Sequence, residues 1–160
     1  MISRVLDATK DVFTERIVVT RHNDVASVCE AAGVSTVLHN SPYLSDTIRL
    51  GIENISEVRR CMFVTADQPL LSQNTVQSLA LSSKNAPFSI WRAAHNGTVG
   101  SPVIFPAGYF DELLCLSYDN GGNEIIKKHP EALRLYNVEN EFELMDVDSQ
   151  EDLIKLSAIL

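Results

Sequence analysis

Six consecutive residues, Cys61-Met62-Phe63-Val64-Thr65-Ala66, form an apolar and β-branched run that stops at Asp67-Gln68-Pro69. A run this short, with no polar residue at alternate positions, is the pattern of a strand covered on both faces. Pro69 has no N–H for a further ladder bond, so the strand must end ahead of it. Any fold for this chain therefore needs apolar layers on both sides of one strand, with a carboxylate at that strand's tip.

The rest of the chain supplies the layers. The β-branched run at 16–20 reads as a second buried strand, and 36–39, 88–93 and 103–105 as further ones. Between them lie segments of helical spacing at 2–13, 24–32, 45–55, 72–81 and 109–116, with Asp24 expected to cap one helix and Gly33 to stop it. Two late strands are expected at 133–138 and 142–147, and Ser149 is expected to cap a final helix. Strands alternating with helices imply an α/β class: a three-layer α/β/α arrangement around a mainly parallel sheet with right-handed crossovers. At 160 residues and 45% hydrophobic content, one domain spanning 1–160 is expected.

Composition excludes several functions. A formal charge of −8 disfavours a phosphate-tracking surface, so no nucleic-acid partner is expected. The apolar runs fall far short of the roughly 20 residues of a membrane span, and no leader pattern opens the chain, so a cytoplasmic protein without a membrane partner is expected. Cys29, Cys61 and Cys115 lack metal or disulfide spacing and read as buried thiols; the four histidines are scattered and receive no chemistry.

In open parallel sheets ligands bind beyond the carboxyl ends of strands, which is where Asp67 lies. It could hold a magnesium ion bridging nucleotide phosphates, or simply form a turn. Asp146 and Asp148 flank Val147 near the end of the last strand, and one of them could be a second ligand, although a turn role is equally available to Asp148. Gly100-Ser101-Pro102 could bring backbone close to a ligand, and Asp119 to Asn123 sets two glycines before a helix N-terminus that could hold an anion.

Taken in order, these segments resemble the MobA-like nucleotidyltransferases, particularly the branch of molybdenum-cofactor cytidylyltransferases. Phe63-Val64-Thr65-Ala66-Asp67-Gln68-Pro69 is similar to that family's metal-site signature, in its cytidylyl form. Asn40 with the helix start Ser45-Asp46-Thr47 resembles the family's asparagine loop. Gly100-Ser101-Pro102-Val103-Ile104-Phe105 resembles its Gly-x-Pro strand, and Asp119-Asn120-Gly121-Gly122-Asn123 its Asp-Lys-Gly-Ala-Arg turn, with Asn120 and Asn123 in place of two cations. Asp146-Val147-Asp148-Ser149-Gln150-Glu151-Asp152-Leu153 is similar to its closing element.

The resemblance implies a Rossmann-like sheet of the nucleotidyltransferase type. It implies a reaction in which CMP passes from CTP to a molybdopterin-type acceptor with release of pyrophosphate. It makes Asp67 the catalytic metal ligand, with Asp148 as the second ligand of Mg2+. Asn40, Ser45, Thr47, Gln68, Pro69, Gly100, Pro102, Asp119 and Gly121 become substrate-binding candidates. The family's opening strand and glycine-rich phosphate loop have no counterpart here, so ladders beside the absent strand are expected to be unpaired or to close up. A shortened start, a truncated chain, or repair by homo-oligomerisation would each account for that. Little transferase activity is then expected from the chain alone, and the alternative is a catalytically inactive nucleotide- or pterin-binding domain that keeps only the fold.

Overall fold

The computed structural model describes residues 1–159. In chain order the elements are α1 (Ile2–Ala8), β1 (Ile17–Thr20), α2 (Asn23–Ala31), β2 (Ser35–Leu38), α3 (Leu44–Asn54), β3 (Arg60–Phe63), α4 (Gln73–Ser82), β4 (Ile90–His95), β5 (Thr98–Pro106), α5 (Phe110–Leu114), α6 (Gly122–Lys128), β6 (Leu133–Asn137) and α7 (Gln150–Ile159). The expected α/β alternation is present. The strands form two sheets: a parallel pair β1-β2, and a four-stranded sheet in the order β3-β5-β4-β6. β4 and β6 are parallel, whereas β5 runs antiparallel to both of its neighbours. That reversal follows from a tight hairpin at Asn96 (φ 48°) and Gly97 (φ 88°), two left-handed residues whose twist suits adjoining antiparallel strands.

Side-chain alternation divides the larger sheet's neighbours into two cores. Ile90, Phe105 and Phe63 point to one face with Leu113 of α5, Ile125 of α6, and Ile48 and Ile52 of α3. Trp91, Ala93, Ile104 and Met62 point to the other, with Leu79 of α4 and Val138. The smaller sheet has its own core, in which Val18 meets Leu6 of α1 and Val25 and Cys29 of α2. No ladder joins β1 to β3. A fourth cluster instead brings Ala8, Val12 and Phe13 against Met62, Val64, Leu71 and Val76, so apolar packing connects the two sheets. Among the described residues, no helix is long and apolar enough to cross a membrane.

Several local expectations are corrected. β3 stops at Phe63, because the β5 residue following its last partner toward the site is Pro102, which has no N–H to donate. Residues 142–147 form no strand: Glu141–Leu144 is a 3-10 turn nucleated by Asn140, whose side chain accepts from the Phe142 N–H. Helix α1 ends at Ala8, where the Arg16 guanidinium donates to the Leu6 carbonyl at 2.7 Å and satisfies a free helix C-terminal acceptor. Asp24 lies inside the first turn of α2, and the cap position is His22. Gly33, at φ 68°, stops that helix as expected. Ser149 and Asp152 exchange hydrogen bonds in a capping box at the start of α7.

The cysteines are not uniformly buried: Cys29 is, Cys61 is partly so, and Cys115 is exposed. Burial, with Glu15 adding a smaller repulsion, pushes the Cys61 thiol up to about 11. Thiol reagents at about pH 8 are therefore expected to label Cys115 in the native protein, and Cys61 and Cys29 only in denaturant, as read by mass spectrometry. Gly122 opens α6 against Phe105, and a Cβ there would lie 2.8 Å from the ring. The ring is buried in a filled core and has nowhere to go. Gly122→Ala should lower stability by about 1 to 3 kcal/mol in urea unfolding, despite alanine's better helix propensity.

Candidate functional site

The site begins with an amide that the fold has buried. Gln68 is 1% exposed. Its Nε2 donates to Asp146 Oδ1 at 2.9 Å and to the Leu144 carbonyl at 3.3 Å. One residue on, the Val147 N–H donates to the Asp67 carbonyl at 2.9 Å. These three bonds fasten the closing segment to the loop beyond β3. They bring Asp67, Asp146 and Asp148 into one electrostatic neighbourhood: the Asp146 carboxyl is raised above its ordinary range by burial first, then by the charges of Asp67 and Asp148, with Gln68 opposing the shift. One carboxylate oxygen of Asp67, Oδ1, is buried with no hydrogen-bond partner. A buried anionic oxygen left without a donor is costly, and a cation is the simplest group to relieve it.

That oxygen is where a divalent ion fits. Among the described residues no group of three histidine, cysteine or acidic side chains could hold a metal alone. A magnesium-type ion does not need one, since it commonly takes one or two carboxylates and fills its remaining positions with substrate phosphate and water.

The other expected residues fall mainly into two packed groups. Ser101 Oγ accepts from the Thr65 N–H at 3.2 Å, fastening the Gly100–Pro102 segment to the Asp67 loop. A Cβ on Gly100 would lie 3.1 Å from Leu144, so the glycine lets β5 approach the closing segment. Ser45 N–H donates to the Tyr118 carbonyl at 3.0 Å, and Tyr43 and Tyr118 meet edge to face at 5.3 Å. Gly121 stands where a Cβ would be 2.9 Å from Leu44. The asparagine loop and the 119–123 turn are thus packed together.

Several substrate-binding expectations need correction in kind. Gln68, Pro69, Ser45 and Pro102 are buried, so a ligand would meet little of their side chains, although Pro69 borders a cavity with Arg4, Asp7 and Gln73. Thr47 is partly buried, its hydroxyl 3.3 Å from His39 Nε2, while His39 Nδ1 is a buried atom without a partner. Asn40 and Asp119 are exposed. The glycines of the 119–123 turn serve close packing against Leu44 and Phe105.

Residues 1–133 match the MobA-like NTP transferase domain. The chain belongs to that family. No protein of curated function matches its sequence. Among solved structures, Rv0371c from Mycobacterium tuberculosis H37Rv superposes with a TM-score of 0.82 at 21% identity, over 97% of this chain and 82% of that one. The same protein in complex with manganese gives 0.80 at 21% identity, over 97% and 84%. A CMP:2-keto-3-deoxy-manno-octonic acid synthetase complexed with CTP gives 0.78 at 12% identity, over 99% and 86%. At these identities the likeness is one of fold, and this MobA-like chain shares the nucleotidyltransferase fold with all three.

Two features escaped the sequence reading. Arg92, in the middle of β4, donates from Nε to the Gly100 carbonyl and from Nη1 to Asn123 Oδ1, both at 2.8 Å. The signal available was a lone arginine among Ile90, Trp91, Ala93 and Ala94. The second is the Gln68–Asp146 bond, which no spacing rule reveals across 78 positions. A carboxyl with a raised folded-state pKa is penalised when ionised, and the penalty sets in as pH rises through that value. Asp146→Asn, keeping an oxygen for Gln68, should raise the metal-free Tm by on the order of 1 °C near neutrality. The gain should vanish by roughly pH 3, where the carboxyls are protonated, as calorimetry at both pH values would show.

Proposed function

We propose that this protein is a Mg2+-dependent cytidylyltransferase that transfers CMP from CTP to the phosphate of a molybdopterin-type acceptor and releases pyrophosphate. The observation that carries this reading is the unpartnered, buried Asp67 Oδ1, in the loop beyond β3 and close to Asp146 and Asp148. Family membership supports nucleotidyl transfer, and structural neighbours that bind CTP or manganese support the nucleotide and the ion class. Three free thiols suit the reducing cytoplasm, where we place the reaction.

Asp67, with Asp148, would hold the divalent ion. When bound, that ion neutralises charge on the nucleotide phosphates. The chain's own part is positional. An acceptor phosphate is already an anion at neutral pH, so no protein base has to remove a proton from it. One of its oxygens bonds to the α-phosphorus of CTP, and the α–β bridging bond breaks, with its electron pair leaving on pyrophosphate. Gln68 keeps the Asp67 loop at fixed distance from the closing segment, and Ser101 holds Thr65, so the carboxylate pays little reorganisation on binding.

A second reading, a nucleotide- or pterin-binding domain without catalysis, is favoured by Asn120 and Asn123, uncharged where the resembling turn carries cations. Asp67→Asn should weaken Mg2+-dependent CTP binding by at least tenfold in calorimetric titration, with little change in CTP binding in EDTA. Unchanged affinity would remove Asp67 from the metal site. Pyrophosphate release from CTP in the presence of acceptor separates the two readings: binding without release favours the silent domain.

A further inference from the structure

Arg92 places a cation beside the Gly100 segment, which borders the site, by a route that the 119–123 turn does not use. Its Cα pairs with Val103 on β5, which pairs in turn with Phe63 on β3, so its stem stands two strands from the strand that leads to Asp67, roughly 10 Å away. Strand alternation sends its side chain to the same face as Ile90 and Val103, the face covered by α3, α5 and α6. There the guanidinium is partly buried, and burial pulls its pKa below the ordinary arginine value. It remains charged, as arginine does in proteins.

No carboxylate lies within ion-pair distance of it among the described residues, in a chain of 21 acidic and 13 basic side chains. Both of its acceptors, the Gly100 carbonyl and the Asn123 amide oxygen, are neutral. A guanidinium has five N–H donors. Two are used here, and the three that remain, on the two Nη atoms, have no protein acceptor among the described residues. The two bonds fix the plane of the group and leave its charge unneutralised, an arrangement suited to an anionic ligand with several oxygens. The bonds also tie it to the residues already bordering the site: Gly100 precedes Ser101, which holds Thr65, and Asn123 closes the turn that packs on α3.

We infer that Arg92, aimed by Gly100 and Asn123, is the subsite for the phosphate of the acceptor substrate. This rests on the transferase reading above for the word acceptor, and on the geometry alone for the phosphate. Asn123 stands where the resembling turn has a cation, and it presents instead the oxygen that orients the cation of β4. A phosphate held there lies on the far flank of β5 from Asp67. That is the side from which an acceptor must come if pyrophosphate is to leave toward the metal carboxylates.

The test uses inorganic phosphate as the probe in metal-free buffer, following the Arg92 Nε–H resonance by NMR, with Mg2+–CTP titrated in parallel. Phosphate should shift that resonance saturably. Arg92→Gln should weaken phosphate binding at least tenfold, Arg92→Lys less, and Asn123→Ala severalfold while keeping the charge. All three should bind Mg2+–CTP within about twofold of wild type, and circular dichroism should confirm that each is folded. Phosphate that fails to shift Arg92, or that binds Arg92→Gln as it does wild type, overturns the subsite. Parallel loss of phosphate and Mg2+–CTP binding assigns Arg92 to the nucleotide and overturns the acceptor role. Wild type that binds phosphate through Arg92 but never Mg2+–CTP leaves the subsite standing and removes the transferase reading.

Discussion

The N–H donors of a buried side-chain amide need acceptors, and in this protein meeting that demand for Gln68 Nε2 builds the site, while Gln68 Oε1 stays buried without a partner. Gln68 lies on the interior side of the Asp67 loop, and its donors find their acceptors only in the closing segment, at Asp146 and the Leu144 carbonyl. The closing segment has no ladder of its own to fix it; Glu141–Leu144 is a short 3-10 turn. Its position comes from Gln68, from the Val147 N–H on the Asp67 carbonyl, and from Glu143, which accepts from the Ser72 N–H at the start of α4. A remote carboxylate thus caps a helix N-terminus, and the same turn delivers Asp146 and Asp148 to the Asp67 loop. Stability of the last third and geometry of the carboxylates depend on one set of bonds.

The break between the two sheets has a different logic. β1 and β3 are each the end of a sheet, and their apolar residues Ile17, Val18, Val19, Cys61, Met62 and Phe63 are only partly buried. The ladders remain unpaired on those sides. What connects the halves is apolar contact: α3 lies against β1 and supplies Ile48 and Ile52 to the larger core, and the Ala8–Phe13 region packs on Met62 and Val64. Such contact is non-directional and tolerates sliding, whereas a ladder sets register. The parts of the site carried by the four-stranded sheet and its closing segment are therefore the more tightly defined.

Much of this was readable beforehand, for a stated reason. Strand-to-helix alternation is a local signal and located the α/β class, whereas the stop at Pro69 overestimated the strand, which ends at Phe63 and leaves Asp67 in the loop beyond it. The antiparallel course of β5 was equally local, in Asn96-Gly97, a hairpin pair that the parallel expectation passed over. Residues 142–147 alternate like a strand, but a strand needs an edge to pair with, and Asn140 instead turns the backbone into a 3-10 helix. The burial of Gln68, Pro69, Ser45 and Pro102 was not legible, because a motif shows which residues are together and not which face solvent.

The chain's acidity and its proposed anionic substrates are compatible only if the field is local. A net charge of −8 repels phosphates at long range, but salt screens that repulsion over about 8 Å under physiological conditions. Inside that distance individual groups decide. Arg92 is partly desolvated and without a neutralising carboxylate, so its attraction is screened less than that of an exposed lysine. Asp67, Asp146 and Asp148 concentrate negative charge on the other side of β5, where it repels phosphate unless a divalent cation is present. In the proposed reaction one sheet separates a place that accepts an anion unaided from a place that accepts one only with metal, and the order of the two demands is set by which strand carries the arginine.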